Sequence, residues 1–204
     1  MFFRNMVFIG ITGGVGSGKT AILQHLKKDP GIFVAEADRI AESLLTPGNP
    51  VFDKVVSILG KEVLKSDGTI DRPKMAEIIF NDREKLSGIN DCIHPAVKEY
   101  VLKEKEGFAS KGRYRIYFLE AALLIECGYD KICDELWYIY ADPLVRKRRL
   151  KENRGYSDGK TDQIMKSQLD DREYREKCSL IIDNSGSLED TLVFVDRITS
   201  GYKG

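Results

Sequence analysis

Five short apolar runs, separated by stretches with helical spacing, set the pattern of this chain. The runs cover residues 7–12, 33–37, 115–120, 136–141 and 179–183. Several lack strict alternation of apolar and polar positions, as expected of strands covered on both faces. Strand and helix patterns alternate, which predicts parallel strands joined by right-handed crossovers. The fold class is therefore α/β, a five-stranded parallel sheet sandwiched by helices. At Asp142-Pro143 a strand ends and a helix starts, with proline at its first position.

The alternation breaks between residues 40 and 112. Helical pieces at 51–59, 73–80, 83–93 and 95–108, with the polar turn Ser66-Asp67-Gly68, predict a mostly helical insertion between the second and third strands. His94-Pro95 falls between two of these pieces, where a proline favours a helix break. In an α/β sheet such an insertion lies over the carboxyl ends of the strands, where ligands bind, so it is the natural holder of a second substrate. The expected organisation is a single chain with a core of residues 1–39, 113–142 and 177–204, an insertion of 40–112, and a lid region of 143–176.

Composition narrows the function classes. The 204 residues carry 32 Lys plus Arg and 32 Asp plus Glu. No global field recruits nucleic acid or a membrane surface. No apolar run approaches the ~20 residues of a membrane span. Met1 to Asn5 lack a basic segment leading into a long apolar one, so no secretory leader is expected. Cys92, Cys127, Cys133 and Cys178 are scattered without a C-x-x-C pair, which favours buried reduced thiols and a cytoplasmic setting over zinc or disulfides.

The first run leads into Gly13-Gly14-Val15-Gly16-Ser17-Gly18-Lys19-Thr20, which fits G-x-x-x-x-G-K-[ST] between a strand and an amphipathic helix expected from about residue 20 to 28. Glycines let successive N–H groups turn inward as a nest for phosphate oxygens. Lys19 can reach β- and γ-phosphates, the Thr20 hydroxyl can ligate Mg²⁺, and the helix adds its positive dipole end. No G-x-G-x-x-G can be laid on these glycines, which excludes a dinucleotide fingerprint. The chain is thus expected to handle a nucleoside triphosphate.

Phosphoryl transfer also asks for charge around the transferring oxygens and a base on the acceptor. Asp38, just past the second strand, suits the base; it equally suits an N-cap for a helix beginning near Arg39. Glu120 closes the third strand, either orienting metal-bound water or simply facing solvent. Basic residues crowd Arg146 to Arg149 and continue to Arg154. Followed by the Gly- and Ser-containing stretch 155–159, they suggest a mobile flap whose arginines, Arg149 and Arg154 foremost, close over the nucleotide.

Taken in order, several segments resemble the dephospho-CoA kinases over nearly the whole chain. They are Thr12 to Lys19, Glu36-Ala37-Asp38-Arg39-Ile40-Ala41, Pro47-Gly48, Asp67-Gly68 with Asp71-Arg72, Ile79-Phe80 and Ile93-His94-Pro95. Leu123-Leu124-Ile125-Glu126, Gln168 and Ile182-Asp183-Asn184-Ser185-Gly186 complete the set. The resemblance implies a P-loop kinase fold, similar to nucleoside monophosphate kinases, with a helical CoA-binding region and a lid. It implies transfer from ATP, with Mg²⁺, to the ribose 3′-hydroxyl of dephospho-CoA, the last step of CoA synthesis. A small molecule is the partner, and a monomer is the working expectation. Asp38 falls on the carboxylate that serves the hydroxyl, which favours its catalytic reading. Lys19 and Arg149 join it as catalytic residues. Gly14, Val15, Gly16, Ser17, Gly18, Lys19, Thr20, Ala21, Arg154 and Asn184 bind ATP, and His94, Leu123 and Glu126, with Asp38, bind the acceptor. Glu36, Ala122, Thr20-Ala21 and Cys178-Ser179 depart from the family pattern without removing a required group.

Two rivals are weighed against this. A nucleoside or nucleotide kinase of the same fold would differ in its acceptor. A GTP-dependent switch needs D-x-x-G followed by N-K-x-D; Asp183-Asn184-Ser185-Gly186 comes late with no N-K-x-D after it, and Gly159-Lys160-Thr161-Asp162 matches only partly.

Overall fold

The computed structural model describes residues 6–202; Met1 to Asn5, on which the expectation about a leader rests, lie outside them. The strands are β1 Val7–Thr12, β2 Ile32–Glu36, β3 Ile116–Glu120, β4 Glu135–Tyr140 and β5 Leu180–Asp183. They form a five-stranded parallel sheet in the order β2-β3-β1-β4-β5. The ends differ from the expected runs by at most one residue. Phe8, Ile9, Ile11, Ile116, Phe118, Trp137 and Ile139 are completely buried on the three central strands. That continuous burial explains why the runs do not alternate: both faces are covered.

Two compact units divide the chain. The first takes the described residues up to Ala35 and those from Lys105 onward; the second is Glu36–Glu104. In the first, α1 Lys19–Leu26 and α9 Leu188–Gly201 pack against one another. Ile22, Leu23 and Leu26 of α1 and Val195 of α9 join one cluster with Phe118, Trp137 and Ile182 of the strands. Phe118 and Trp137 meet edge to face at 5.0 Å. Each such side chain contributes about 1.5–3 kcal/mol by leaving water. The same unit carries α6 Pro143–Arg154, α7 Asp158–Lys166 and α8 Asp171–Lys177. Asp142 caps α6 by accepting from the Leu144 N–H, with Pro143 at the first helical position as expected.

The stretch 155–159 that follows the basic cluster holds a short connection between two capped helices. Gly155 ends α6 in the left-handed region (φ 62°), and the Ser157 hydroxyl accepts from the Lys160 N–H to start α7. Glycine stops one helix and serine begins the next, so the composition that suggested a loop serves as helix punctuation.

The second unit holds α2 Ala37–Leu44, α3 Pro50–Leu59, α4 Arg72–Asn81 and most of α5 Arg83–Lys111. Phe52, Val55, Leu59, Val63, Ile70 and Ile89 form its own apolar cluster. Asp67 accepts from both the N–H and the hydroxyl of Thr69, which makes the turn expected at Ser66-Asp67-Gly68. Asp71 caps α4 and Arg72 pairs with Glu42.

Two expectations are corrected here. The pieces 83–93 and 95–108 are one helix, α5, with Pro95 inside it. A proline costs about 3 kcal/mol in a helix interior. Ile89 on one side and Val97 and Val101 on the other are buried, and that burial offsets the lost bond. Asp38 is not an N-cap. α2 begins at Ala37, so Glu36 takes the cap position and Asp38 is the second helical residue. Buried Ala37, a strong helix former, extends the helix one turn position earlier than the cap reading allows.

Candidate active site

The loop after β1 turns tightly, with Ser17 N–H donating to Gly14 C=O at 3.1 Å. Gly18 stands at the N-cap of α1 with φ 93°, a conformation that favours glycine. A Cβ there would also overlap the Asn184 carboxamide. Lys19 folds back along the loop and its Nζ donates to Gly13 C=O at 2.5 Å. The ammonium is thereby held against the loop. Thr20, next on α1, is exposed and Ala21 half-buried.

Side chains from distant segments brace this loop. Asn184 follows β5 and is 1 % exposed; its Nδ2 donates to Ser17 C=O at 2.7 Å, and its Oδ1 accepts from the Thr191 hydroxyl at 3.0 Å. Arg149 Nη1 reaches the same Ser17 carbonyl at 3.5 Å. Arg146, one helical turn earlier, donates from Nε to Val15 C=O at 2.8 Å and from Nη2 to Gln168 Oε1 at 3.0 Å. Burial disfavours the Arg146 charge, while the neighbouring Tyr138, Tyr174, Tyr140 and Asp171 act the other way. Tyr174 stacks on Tyr138, centroids 4.6 Å apart, and burial pushes its phenol up to about 12. The Glu126 charge acts on Tyr174 in the same direction.

Of the residues expected at the site, Lys19, Arg149 and Asn184 converge on the loop. Arg154 ends α6 about 12 Å further along the helix axis than Arg146 and is exposed. Leu123 and Glu126 are exposed on the turns after β3. Asp38 and His94 belong to the second unit. Burial and the Lys98 charge lower the His94 pKa, against the Asp91 charge, which raises it. Arg146 was passed over in favour of Arg149 and Arg154, and Gln168 entered only through the resemblance. A helical signal for Arg146 existed: it lies three and four residues before Arg149 and the buried Leu150, on one face.

Among the described residues no group of three or more His, Cys, Asp or Glu could hold a metal, and no helix is long and apolar enough to cross a membrane. Mg²⁺ fits this arrangement, since it takes one or two protein oxygens together with substrate phosphates rather than a protein cage. The cysteines are Cys92, Cys127, Cys133 and Cys178. Cys178 is buried and the others half-buried; burial pushes the Cys133 thiol up to about 12 and that of Cys178 to about 11.

A central strand delivering a glycine-rich loop and lysine to a helix, within this sheet order, defines the P-loop kinase fold. A Thermus thermophilus protein of 25% identity has the same fold at TM-score 0.79, covering 98% of this chain and 100% of its own. A dephospho-CoA kinase from Campylobacter jejuni, 23% identical, follows at TM-score 0.70 over 95% and 98%. The profile of the dephospho-CoA kinases matches residues 7–190, and the chain belongs to that family. The dephospho-CoA kinase of Carboxydothermus hydrogenoformans is 37% identical over 195 residues, 96% of this chain and 94% of its own. The protein is an ATP-dependent kinase, and the final step of coenzyme A biosynthesis is its family's role.

Proposed function

We propose that this chain transfers the γ-phosphoryl group of ATP to the ribose 3′-hydroxyl of dephospho-CoA through Lys19, Arg149 and Asp38. The observation that carries the reading is the Lys19 ammonium held against the Gly13 carbonyl, on a loop that Asn184 and Arg149 brace at Ser17. In this reading Gly14 to Ala21 cradle the phosphates and Lys19 neutralises the β- and γ-oxygens. Asp38 takes the 3′-hydroxyl proton as the new O–P bond forms and the bond from Pγ to the bridging oxygen breaks, releasing ADP. Arg149 faces the charge spread over the transferring oxygens, and Arg154 closes from the end of α6.

Thr20 Oγ1 and phosphate oxygens would hold Mg²⁺, which would supply positive charge against the phosphate oxygens when bound. Dephospho-CoA is assigned to Asp38 and His94 in the second unit and to Leu123 and Glu126 in the first. Residues 143–176 serve as the lid. A cytoplasmic setting belongs to the same reading, in accord with cysteines scattered without a C-x-x-C pair.

The test uses ATP labelled at the γ-phosphate, offered with dephospho-CoA, AMP, CMP or nucleosides. Label is expected in dephospho-CoA alone, at its 3′ position. Faster labelling of AMP or CMP would overturn the assignment.

A further inference from the structure

The two peptide planes that flank the Val15 Cα are pinned by side chains that the G-x-x-x-x-G-K-T motif does not include. On one side the Val15 N–H donates to Gln168 Oε1 at 3.0 Å. On the other the Val15 carbonyl accepts from Arg146 Nε at 2.8 Å. Arg146 Nη2 also donates to Gln168 Oε1, at 3.0 Å, so the four groups close a ring. Arg146 comes from α6 and Gln168 from the turn between α7 and α8, which places both outside the loop by more than a hundred residues.

Gly14 supplies an independent sign that the guanidinium belongs there. Its backbone is not in the left-handed region, so conformation does not demand glycine. A Cβ at Gly14 would instead overlap Arg146 Cζ and both Nη atoms. The absent side chain at position 14 is the space the guanidinium occupies. Tyr138 and Tyr174, stacked beside it, together with Asp171, make up the electrostatic surroundings of that charge.

We propose that Arg146 and Gln168 are positioning residues for nucleotide binding, which fix the apex of the phosphate-binding loop so that its remaining N–H groups are held in place when the phosphates arrive. A glycine-rich loop loses conformational freedom on binding, and a loop immobilised beforehand loses less. Neither residue touches the phosphates; both act through Val15. The planar fork of Arg146 meets Val15 C=O and Gln168 Oε1 with two different nitrogens, Nε and Nη2, held in one fixed plane. The inference rests on reading Gly14 to Ala21 as the nucleotide cradle.

The experiment is direct binding of ATP and of ADP, by titration calorimetry, to the full-length wild type and to Gln168→Met, Arg146→Met and the double variant. Gln168→Met is expected to weaken both nucleotides about 3- to 10-fold, and Arg146→Met about 10- to 100-fold. The double variant should lose less than the product of the two single effects, since either change opens the ring. Saturating kcat and the KM for dephospho-CoA should stay within about twofold, a split that a general loss of structure would not give. Gly14→Ala keeps both side chains and displaces the guanidinium; it should weaken binding in the wild type but add nothing in the Arg146→Met background. Weakening of ATP without ADP would mean that Arg146 meets the γ-phosphate directly, and would overturn the positioning role. Unchanged affinity in Gln168→Met and Arg146→Met would overturn it too. Failure of the wild type to bind either nucleotide would instead refute the reading of the cradle, and the inference with it.

Discussion

Replacing Asn184 by alanine removes the brace beneath the phosphate-binding loop, and its cost can be worked from the contacts. The side chain is 1 % exposed, so water does not take its place. Thr191 loses Asn184 Oδ1 but keeps the Ser187 carbonyl as an acceptor at 3.1 Å. Ser17 C=O loses its 2.7 Å donor and retains only Arg149 Nη1 at 3.5 Å. One buried acceptor is therefore left with a single long donor, a loss of about 1–3 kcal/mol. For a chain of this length that lowers Tm by roughly 2–12 °C, at 2–4 °C per kcal/mol. Asn184→Asp is the sharper probe. It keeps the shape and the bond from Thr191 but turns an oxygen, not an N–H, toward Ser17 C=O. It should cost at least as much as alanine. Thermal unfolding of both variants without nucleotide measures this, and titration with ATP measures the accompanying loss of affinity. A Tm within 1 °C of wild type for both, with ATP binding impaired, would refute the bracing argument and make Asn184 a direct nucleotide contact.

Two further outcomes follow from particular residues. Asp38→Asn should bind ATP within about twofold of wild type while kcat for dephospho-CoA falls by ~10²–10⁴ in steady-state assays, the scale of a positioned base; a loss of only a few-fold would remove Asp38 from the chemistry. Asp29 is held below the usual carboxylate range, first by its hydrogen bond with Arg115, which grips it at 2.9 and 2.5 Å. Its folded value being the lower one, the stabilisation is fully present above the unfolded value near 4 and is lost as pH falls through the folded value. The Tm difference between wild type and Asp29→Asn should accordingly be full at pH 7 and shrink below about pH 4; an undiminished difference at pH 2 would contradict the linkage.

Much of the architecture was legible in the linear pattern, for reasons that particular segments make plain. Strands buried on both faces require unbroken apolar runs, so 7–12, 115–120 and 136–141 announced themselves. The phosphate-binding loop is encoded within eight consecutive residues because its conformation depends on glycines and on the helix that follows immediately. Pro143 and Ser157 begin helices by local chemistry. Where short-range rules misled, packing had the stronger term: Pro95 sits inside α5 because Ile89, Val97 and Val101 are buried on either side of it, and Asp38 is not a cap because buried Ala37 starts α2 earlier.

The chain's order of residues determined by itself that a triphosphate-binding loop stands on the first strand of a parallel sheet, since each of those features is written in neighbouring positions. Which side chains hold that loop was decided only in three dimensions. The bonds from Arg146 to Val15, from Val15 to Gln168 and from Asn184 to Ser17 join residues 131, 153 and 167 positions apart. No local spacing encodes such meetings. They exist because the sheet order carries β4 beside β1 and β5 beside β4, so the segments that follow those strands return to the mouth of the loop.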